Sequence, residues 1–552
     1  VARPARPDSA TQAGALVPGQ QGRTAIGLAA TGLSVLLTLG VGVLGPSLLE
    51  PALPGRAGQP PWSFSVHPSP YLVVALALAA VVTGTAGLAM TMRAARLGWA
   101  VRPWLLLAAG IAAAGVLALV PPFGSADHLS YAAYGRMAAT GHDPYTMTPA
   151  ALARLGDPVG RVVRQFQSSP SVYGALATAG QALASRVGGT SVRLTVFVLS
   201  VLNVAAFALT GLLLHWLSRR DRGQQLRAAV LWTANPLLLM VLVAGQHVDS
   251  QAVVFVIAAL AAFSFCTLAG PGWERTVLPA AAAGALVGLG FAVKVTMALA
   301  GAGLATACLL AWRLRGQAEP ATAERARLVA AAGGLAAGFA VTAGASLAAY
   351  GVSSLDPGLM AGSYTSFGSP WRVVRAALGL GLTSAAAETT VKAGALVLGL
   401  ILLVLLLRSA RSGLPGAGPA GRAPLLAPPR GQLATRVLPD HPVPLFDLAV
   451  LCAAAFAIAW LFSWPYVLPW YDAIGWALLA LVAWSQLDWL LLARTAALAL
   501  GYLTATGAPL PDGLGWLETV VRKGVTPAVL LICTVLLIRA VLPARQARAM
   551  RS

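Results

Sequence analysis

Few residues in this sequence could take part in chemistry, and many of them stand together in Pro121–Ala150, PPFGSADHLSYAAYGRMAATGHDPYTMTPA. A long apolar run gives way there to Asp, His, Tyr, Arg and Pro. Asp127 comes directly after the run. A carboxylate at a membrane surface is partly desolvated, its pKa rises, and it can act as a general base. The alternative role is local: Ser125 or Asp127 can cap a short helix that starts at His128. Tyr131 projects beside Asp127 at i+4, with Tyr134 and Arg136 further along at i+7 and i+9. Gly141 stops the helix, and Asp143-Pro144-Tyr145 reads as a turn. Asp143 and Tyr145 join the candidates for binding.

Four further groups follow. GQHVDS (Gly245–Ser250) sets His247 and Asp249 at the mouth of a helix, where ionisable groups are costly unless used or hydrated. Lys294 interrupts the otherwise uncharged run GALVGLGFAVKVTMALAGAG. It either pairs with an anionic phosphate at the membrane boundary or snorkels to the interface. Tyr364, Trp371, Arg372 and Arg375 combine aromatics, which stack on sugar faces, with guanidinium groups, which grip phosphate through paired bonds. The same set could form an interfacial belt. Both readings extend to SWPYVLPWYD (463–472), with Trp470 and Tyr471. The His and Asp residues make no helical i, i+3 or i, i+4 ligand pair, so no metal is expected.

Composition sets the elements that must hold these groups. The 552 residues are 57% hydrophobic and 10% charged, against about 25% charged in soluble domains. Apolar runs of about 20 residues recur along the chain and read as transmembrane helices. The net charge of +20 is dispersed in short clusters between the runs. There is no basic domain interleaved with aromatics, so the charge marks topology and not a nucleic-acid partner. Cys266, Cys308, Cys452 and Cys533 lie in or beside apolar runs without a CxxC or Cys/His cluster, so neither a disulfide framework nor a metal site is expected. The first run, from about Thr24, is too long for a signal-peptide core and reads as a retained helix.

Fourteen spans are expected, at about 24–45, 71–92, 103–120, 192–216, 226–244, 250–269, two within 278–312 parted near Lys294, 328–350, 391–407, 445–462, 472–487, 490–506 and 524–542. Residues 1–23 form a disordered cytoplasmic tail, 24–543 the membrane domain and 544–552 a basic cytoplasmic tail. Within the domain, 121–191 and 352–390 are long polar loops whose short helices lie on the membrane surface. Residues 408–443, rich in Arg, Pro and Gly, form a flexible cytoplasmic loop. With residues 1–23 inside, alternation puts most of the Lys and Arg in inside segments. It gathers 121–191, 245–250, Lys294, 352–390 and 463–471 on the opposite face, away from the cytoplasm.

SADHLSYAAYGRMAATGHDPY resembles the first large loop of the polyprenol-phosphate-mannose-dependent α-1,6-mannosyltransferases of actinobacteria, the MptA/MptB type, which belong to the C-type (GT-C) glycosyltransferases. SVYG (171–174), ANPL and GQHVDS (within 234–250), Lys294 and PWY (469–471) follow in that family's order, over about residues 100–480. The resemblance implies an all-α polytopic integral membrane protein of GT-C-like fold, with 13 to 14 transmembrane helices and amphipathic extracytoplasmic loop helices. It implies a plasma-membrane location, a polyprenyl-phosphate-mannose donor, a glycan or lipoglycan acceptor, membrane lipids as surroundings and no cofactor. Asp127 would deprotonate the acceptor hydroxyl, which would attack the anomeric carbon with inversion and form an α-1,6 linkage. Lys294 and Arg372 are the candidates to stabilise the leaving phosphate without a metal. Tyr131, Arg136, Asp143, Tyr145, His247, Asp249, Tyr364, Trp470 and Tyr471 are expected to bind substrate. The sequence departs from the family pattern at His128, at HVD where HND is common, and at PWYD.

Another polyprenyl-phosphate sugar is the alternative within this class. A transporter or lipid flippase would carry charges near mid-membrane and internal repeats. Here the charges cluster toward one face and no repeat of fixed period occurs. A structural membrane protein has no need of an Asp, His, Lys and Arg set gathered at that face.

Overall fold

The computed structural model describes residues 18–266, 268, 272–314, 321–355, 364–412, 424–429 and 444–542. Among these residues the architecture is all-α, with no strand and a single isolated bridge between Ser125 and Ala505. All fourteen expected segments contain helix, but among the described residues ten helices are long and apolar enough to cross a membrane. Pro103–Leu117 and Asp249–Phe263 have 15 residues each, Asp472–Leu479 has 8 and Gln486–Tyr502 has 17. A 15-residue helix reaches only ~22 Å at 1.5 Å per residue, short of a hydrocarbon core of about 30 Å. The first helix begins at Pro18, so 18–23 belong to it and not to the tail. Residues 1–17 and 543–552 lie outside the described residues. Within 408–443, residues 408–412 complete the Ser384–Ser412 helix, and Leu425 and Leu426 are buried. The remainder, 413–423 and 430–443, lies outside the described residues.

The innermost elements are Leu445–Ser463 and Arg222–Ala244, apolar and buried around most of their circumference, as expected for helices hydrophobic on every side. The second of these is broken at ANPL. Asn235 caps a restart by accepting from the Leu237 and Leu238 N–H groups, with Pro236 in the first helical position.

The contacts between connections reveal the direction of each segment. Trp62 N–H donates to the Leu119 carbonyl, Gly124 N–H to Leu49, Phe123 N–H to Ala244, Gly174 N–H to Val293 and Ser366 N–H to Pro465. Thr506 Oγ1 donates to the Leu48 carbonyl. These bonds join the loops before and after alternate helices into one end of the bundle. At the other end, Arg222 reaches the Val101 carbonyl, Gln224 those of Ala480 and Val482, and Arg327 that of Leu268. Ala483 N–H donates there to Ala427. That second end is locked by Arg227, fully buried, which pairs with Asp488 at 2.5 Å and also donates to the Leu479 carbonyl. The helices therefore alternate in direction, and the residues singled out above emerge at the first end.

Candidate functional site

The polar loop that carries Asp127 is seated by two glycines. Asp127–Ala139 forms the expected short helix, and Gly141 ends it with φ +81. The N-cap is Ala126, which has no side-chain cap, while Ser125 Oγ accepts the Asp127 N–H at 3.1 Å. Gly135 lets this helix press on Ala175–Gly188, because a Cβ there would overlap the Gln181 carbonyl. Gly174, the last residue of SVYG, donates its N–H to Val293, and a Cβ on it would run into the Ala292 carbonyl. This close approach brings Tyr173 beside the turn that carries Lys294. The Tyr173 and Tyr131 hydroxyls lie 3.3 Å apart and their rings meet edge to face.

GQHVDS is shaped by unusual backbone. Leu239–Ala244 is a π-helical segment, a form concentrated at functional positions. It runs into Gln246, buried and at φ +54, a conformation uncommon outside glycine. Gln246 Nε2 is anchored on the Val196 carbonyl at 2.7 Å. Lys294 adopts extended backbone, φ −151 and ψ 122, and so separates Glu274–Val293 from the turn that opens the next helix. Its Nζ sits 2.7 Å from Asp249 Oδ1 and 3.8 Å above the Tyr471 ring. Trp470 stacks on His247, with centroids 3.4 Å apart and planes 11° apart. Tyr502 meets the edge of Trp470, and Tyr466 that of Tyr471.

At the centre is Asp127, whose side chain is 13% exposed, with Oδ2 3.5 Å from His247 Nδ1. That distance is too long for a firm hydrogen bond, and Nδ1 has no hydrogen-bond partner among the described residues. Burial raises the Asp127 carboxyl from its usual 3.8 to about 6, against the opposing pull of the Ser125 hydrogen bond and the Lys294 charge. Burial also holds His247 well below the usual histidine range, so the ring beside Asp127 is neutral. A carboxylate with a pKa near working pH, flanked by a neutral imidazole, can take a proton from a hydroxyl.

The structure thus gathers Asp127, Tyr131, His247, Asp249, Lys294, Trp470 and Tyr471 at one point. Arg136 stands apart, bound to Asp157 at 2.7 Å. Nine residues along an α-helix amount to a rotation of about 180°, which puts it on the far side from Asp127. Asp143 is an exposed turn residue that accepts the Tyr145 N–H at 2.9 Å. Tyr145 bonds Thr178 and packs on Tyr350. Tyr364 lies on the rim, half exposed, against Tyr466. Arg372 faces the Phe367 ring at 4.5 Å, as do Arg522 and Lys523 at 5.1 and 5.5 Å. Sequence reasoning missed Tyr173, Tyr466, Tyr502 and Arg522 as site residues. The first two lie in SVYG and SWPYVLPWYD and could have been found there. Tyr502 and Arg522 look in sequence like ordinary residues of a span's end.

The candidate site is thus a desolvated carboxylate at the mouth of the helices of a multi-span bundle. The chain belongs to the α-(1→6)-mannopyranosyltransferase family: the model of that family's N-terminal domain matches residues 24–311, just over half of the 552. Its ten long apolar helices make it a multi-pass membrane protein. No curated protein matches the chain. Among solved structures, it is similar to the archaeal oligosaccharyltransferase AglB from Archaeoglobus fulgidus, in complex with an inhibitory peptide and a dolichol-phosphate. The match has 14% identity and a TM-score of 0.38, and covers 78% of this chain and 56% of that one. This chain thus spans little more than half the length of that protein, and the family assignment rests on the match over 24–311.

Proposed function

We propose that this protein transfers mannose from polyprenyl-phosphate-mannose to a hydroxyl of a glycan or lipoglycan acceptor, with inversion and formation of an α-1,6 linkage. Asp127 carries the reading, as a largely desolvated carboxyl raised to about 6 and facing neutral His247. The acceptor O–H proton passes to the Asp127 carboxylate as the oxygen bonds to the anomeric carbon. The bond from that carbon to the phosphate oxygen breaks, and polyprenyl phosphate leaves with the electron pair. Lys294, held by Asp249 and Tyr471, is the cation for the developing phosphate charge. Tyr131, His247, Trp470 and Tyr471 form the walls against the sugar, and Tyr364 and Arg372 meet the donor at the rim. Arg136, Asp143 and Tyr145 act through the loop, by holding its shape. The distribution of Lys and Arg supports an extracytoplasmic site at the plasma membrane.

The test is transfer of labelled mannose from polyprenyl phosphomannose in membranes containing the protein. Wild type should label an acceptor and Asp127→Ala should not, although it is inserted to the same level. Undiminished transfer by Asp127→Ala would remove Asp127 from the mechanism. A topology reporter placed after Ala150 should report from outside the cytoplasm.

A further inference from the structure

A cavity of about 640 Å³ lies between the Asp127 loop and the last helix, a size within the range of about 300–1,000 Å³ common to ligand pockets. None of the roles above uses it. Its polar lining comes from Gln165, Thr504, Asp512, Glu518, Thr519 and Arg522, with Lys523 at the edge. Except for Gln165, these residues lie beyond 24–311, the stretch matched by the family's N-terminal domain.

The cavity is physically joined to the site. Gln165 Nε2 donates to the Ala505 carbonyl at 2.9 Å, and Ser130 Oγ donates to the Gln165 carbonyl. Ala505 is bridged to Ser125, two residues before Asp127. From the other side, Arg522 stands 5.0 Å from the Tyr502 ring, which meets Trp470, which stacks on His247. A wall of the cavity at Ala505 is therefore bridged directly to the segment that carries Asp127.

Its position and charge define the ligand. The helical stretch Asp512–Val541 has 30 residues, π-helical over Leu517–Val525 and α-helical over Thr526–Val541, against the about 20 residues that cross a bilayer. Its first turns, which line the cavity, can stand clear of the lipid, where a hydrophilic ligand has access. Asp512 and Glu518 balance Arg522 and Lys523, and Glu518 is bonded to Lys523 at 2.8 Å. A phosphate ligand calls for an excess of cations. A neutral polyol is suited by this mixture of carboxylates, amide and hydroxyls, because each sugar hydroxyl both donates and accepts. Among the described residues Arg522 Nε is a buried donor without a hydrogen-bond partner, and such groups call for an acceptor.

We infer that this cavity holds the neutral oligosaccharide end of the acceptor and presents its terminal hydroxyl toward Asp127, an assignment that rests on the transferase reading. The C-terminal part of the chain would then select the acceptor, while the N-terminal domain carries the base.

The test uses the full chain in lipid nanodiscs, carrying Asp127→Asn to prevent turnover, with a synthetic octyl α-1,6-mannotrioside as probe. Calorimetry should show saturable binding. Adding Thr519→Trp, which sets a bulky ring at the cavity lining, should weaken it at least tenfold. Adding Glu518→Gln, which keeps the volume, should weaken it about threefold and serves if Thr519→Trp does not fold. Binding unchanged in both variants, or no saturable binding in the parent, would overturn the assignment. Transfer from polyprenyl phosphomannose is measured in parallel on protein with Asp127 intact. Saturable, cavity-dependent binding without any transfer would support the glycan site and count against the transferase reading. Transfer with an acceptor KM unmoved by Thr519→Trp would count against the cavity alone.

Discussion

Replacing Asp127 by Asn should abolish transfer and make the protein more stable, and the second effect should depend on pH. The folded carboxyl titrates at about 6 in place of 3.8, with burial as the main cause. The folded state therefore favours the protonated form. The stabilisation that this gives is fully present below pH 3.8 and is lost as pH rises through 6. At about 1.4 kcal/mol per pH unit, the ionised carboxylate costs the fold ~3 kcal/mol above pH 7. Asn avoids this cost. Asp127→Asn should thus be more stable than wild type by up to ~3 kcal/mol at pH 8, a gap that closes to about 0.5 kcal/mol at pH 4. Reversible unfolding in mixed detergent, followed at several pH values, measures the gap. In wild type the ionised fraction rises from about one tenth at pH 5 to about nine tenths at pH 7, so kcat/KM should climb roughly tenfold over that range. A kcat/KM independent of pH from 5 to 7, or a variant no more stable than wild type at pH 8, would refute the assignment of Asp127 as a desolvated base.

Asp249→Ala strands the Lys294 ammonium and should cost ~3–5 kcal/mol. The double change Asp249→Leu with Lys294→Met should recover much of that stability and none of the transfer, as unfolding and activity assays on both proteins would show. Gly174→Ala must push SVYG off the Ala292 carbonyl. A displacement of about 1 Å should lower kcat by about 100-fold, with helix content by circular dichroism unchanged. Arg227→Met leaves Asp488 buried and unpaired at the opposite end of the bundle. It should lower stability by ~3–5 kcal/mol while leaving the acceptor KM of the folded fraction as in wild type.

Much of the framework could be read before any coordinates. Lys294 parts two helices because a charge within an apolar stretch of 35 residues, Leu278–Trp312, marks a place where the chain reaches a polar boundary. The alternation of helices agrees with the order of apolar runs, and the Lys and Arg counts served to orient it. Hydropathy could not tell that Pro103–Leu117 and Asp249–Phe263 stop after 15 residues, because the apolar pattern continues past the point where the backbone turns. The site itself was legible as residue types and not as geometry. His247 meets Trp470 across more than two hundred residues, and only the packing of the bundle brings them together. Arg136 looked close to Asp127 along the chain and lies on the far side of the same helix. Arg522 looked remote and stands one aromatic ring away from Trp470.

The pairing of charges explains why one aspartate would be the base and the other not. Asp127 and Asp249 both lie within the influence of Lys294, which acts on the titration of each. The ammonium makes its direct bond to Asp249, at 2.7 Å. Had it bonded Asp127, the carboxylate would be held by an adjacent cation, and a group so stabilised is a weak base. By holding Lys294, Asp249 leaves Asp127 with Ser125, Tyr131 and the neutral His247 as its direct neighbours and Lys294 acting on it from further away. The proposed base is therefore made by burial, with its counter-ion bonded elsewhere, and the same pair keeps a cation at hand for the phosphate. Both functions depend on the turn at Lys294 and on the GQHVDS segment opposite, where the backbone departs from regular α-helix.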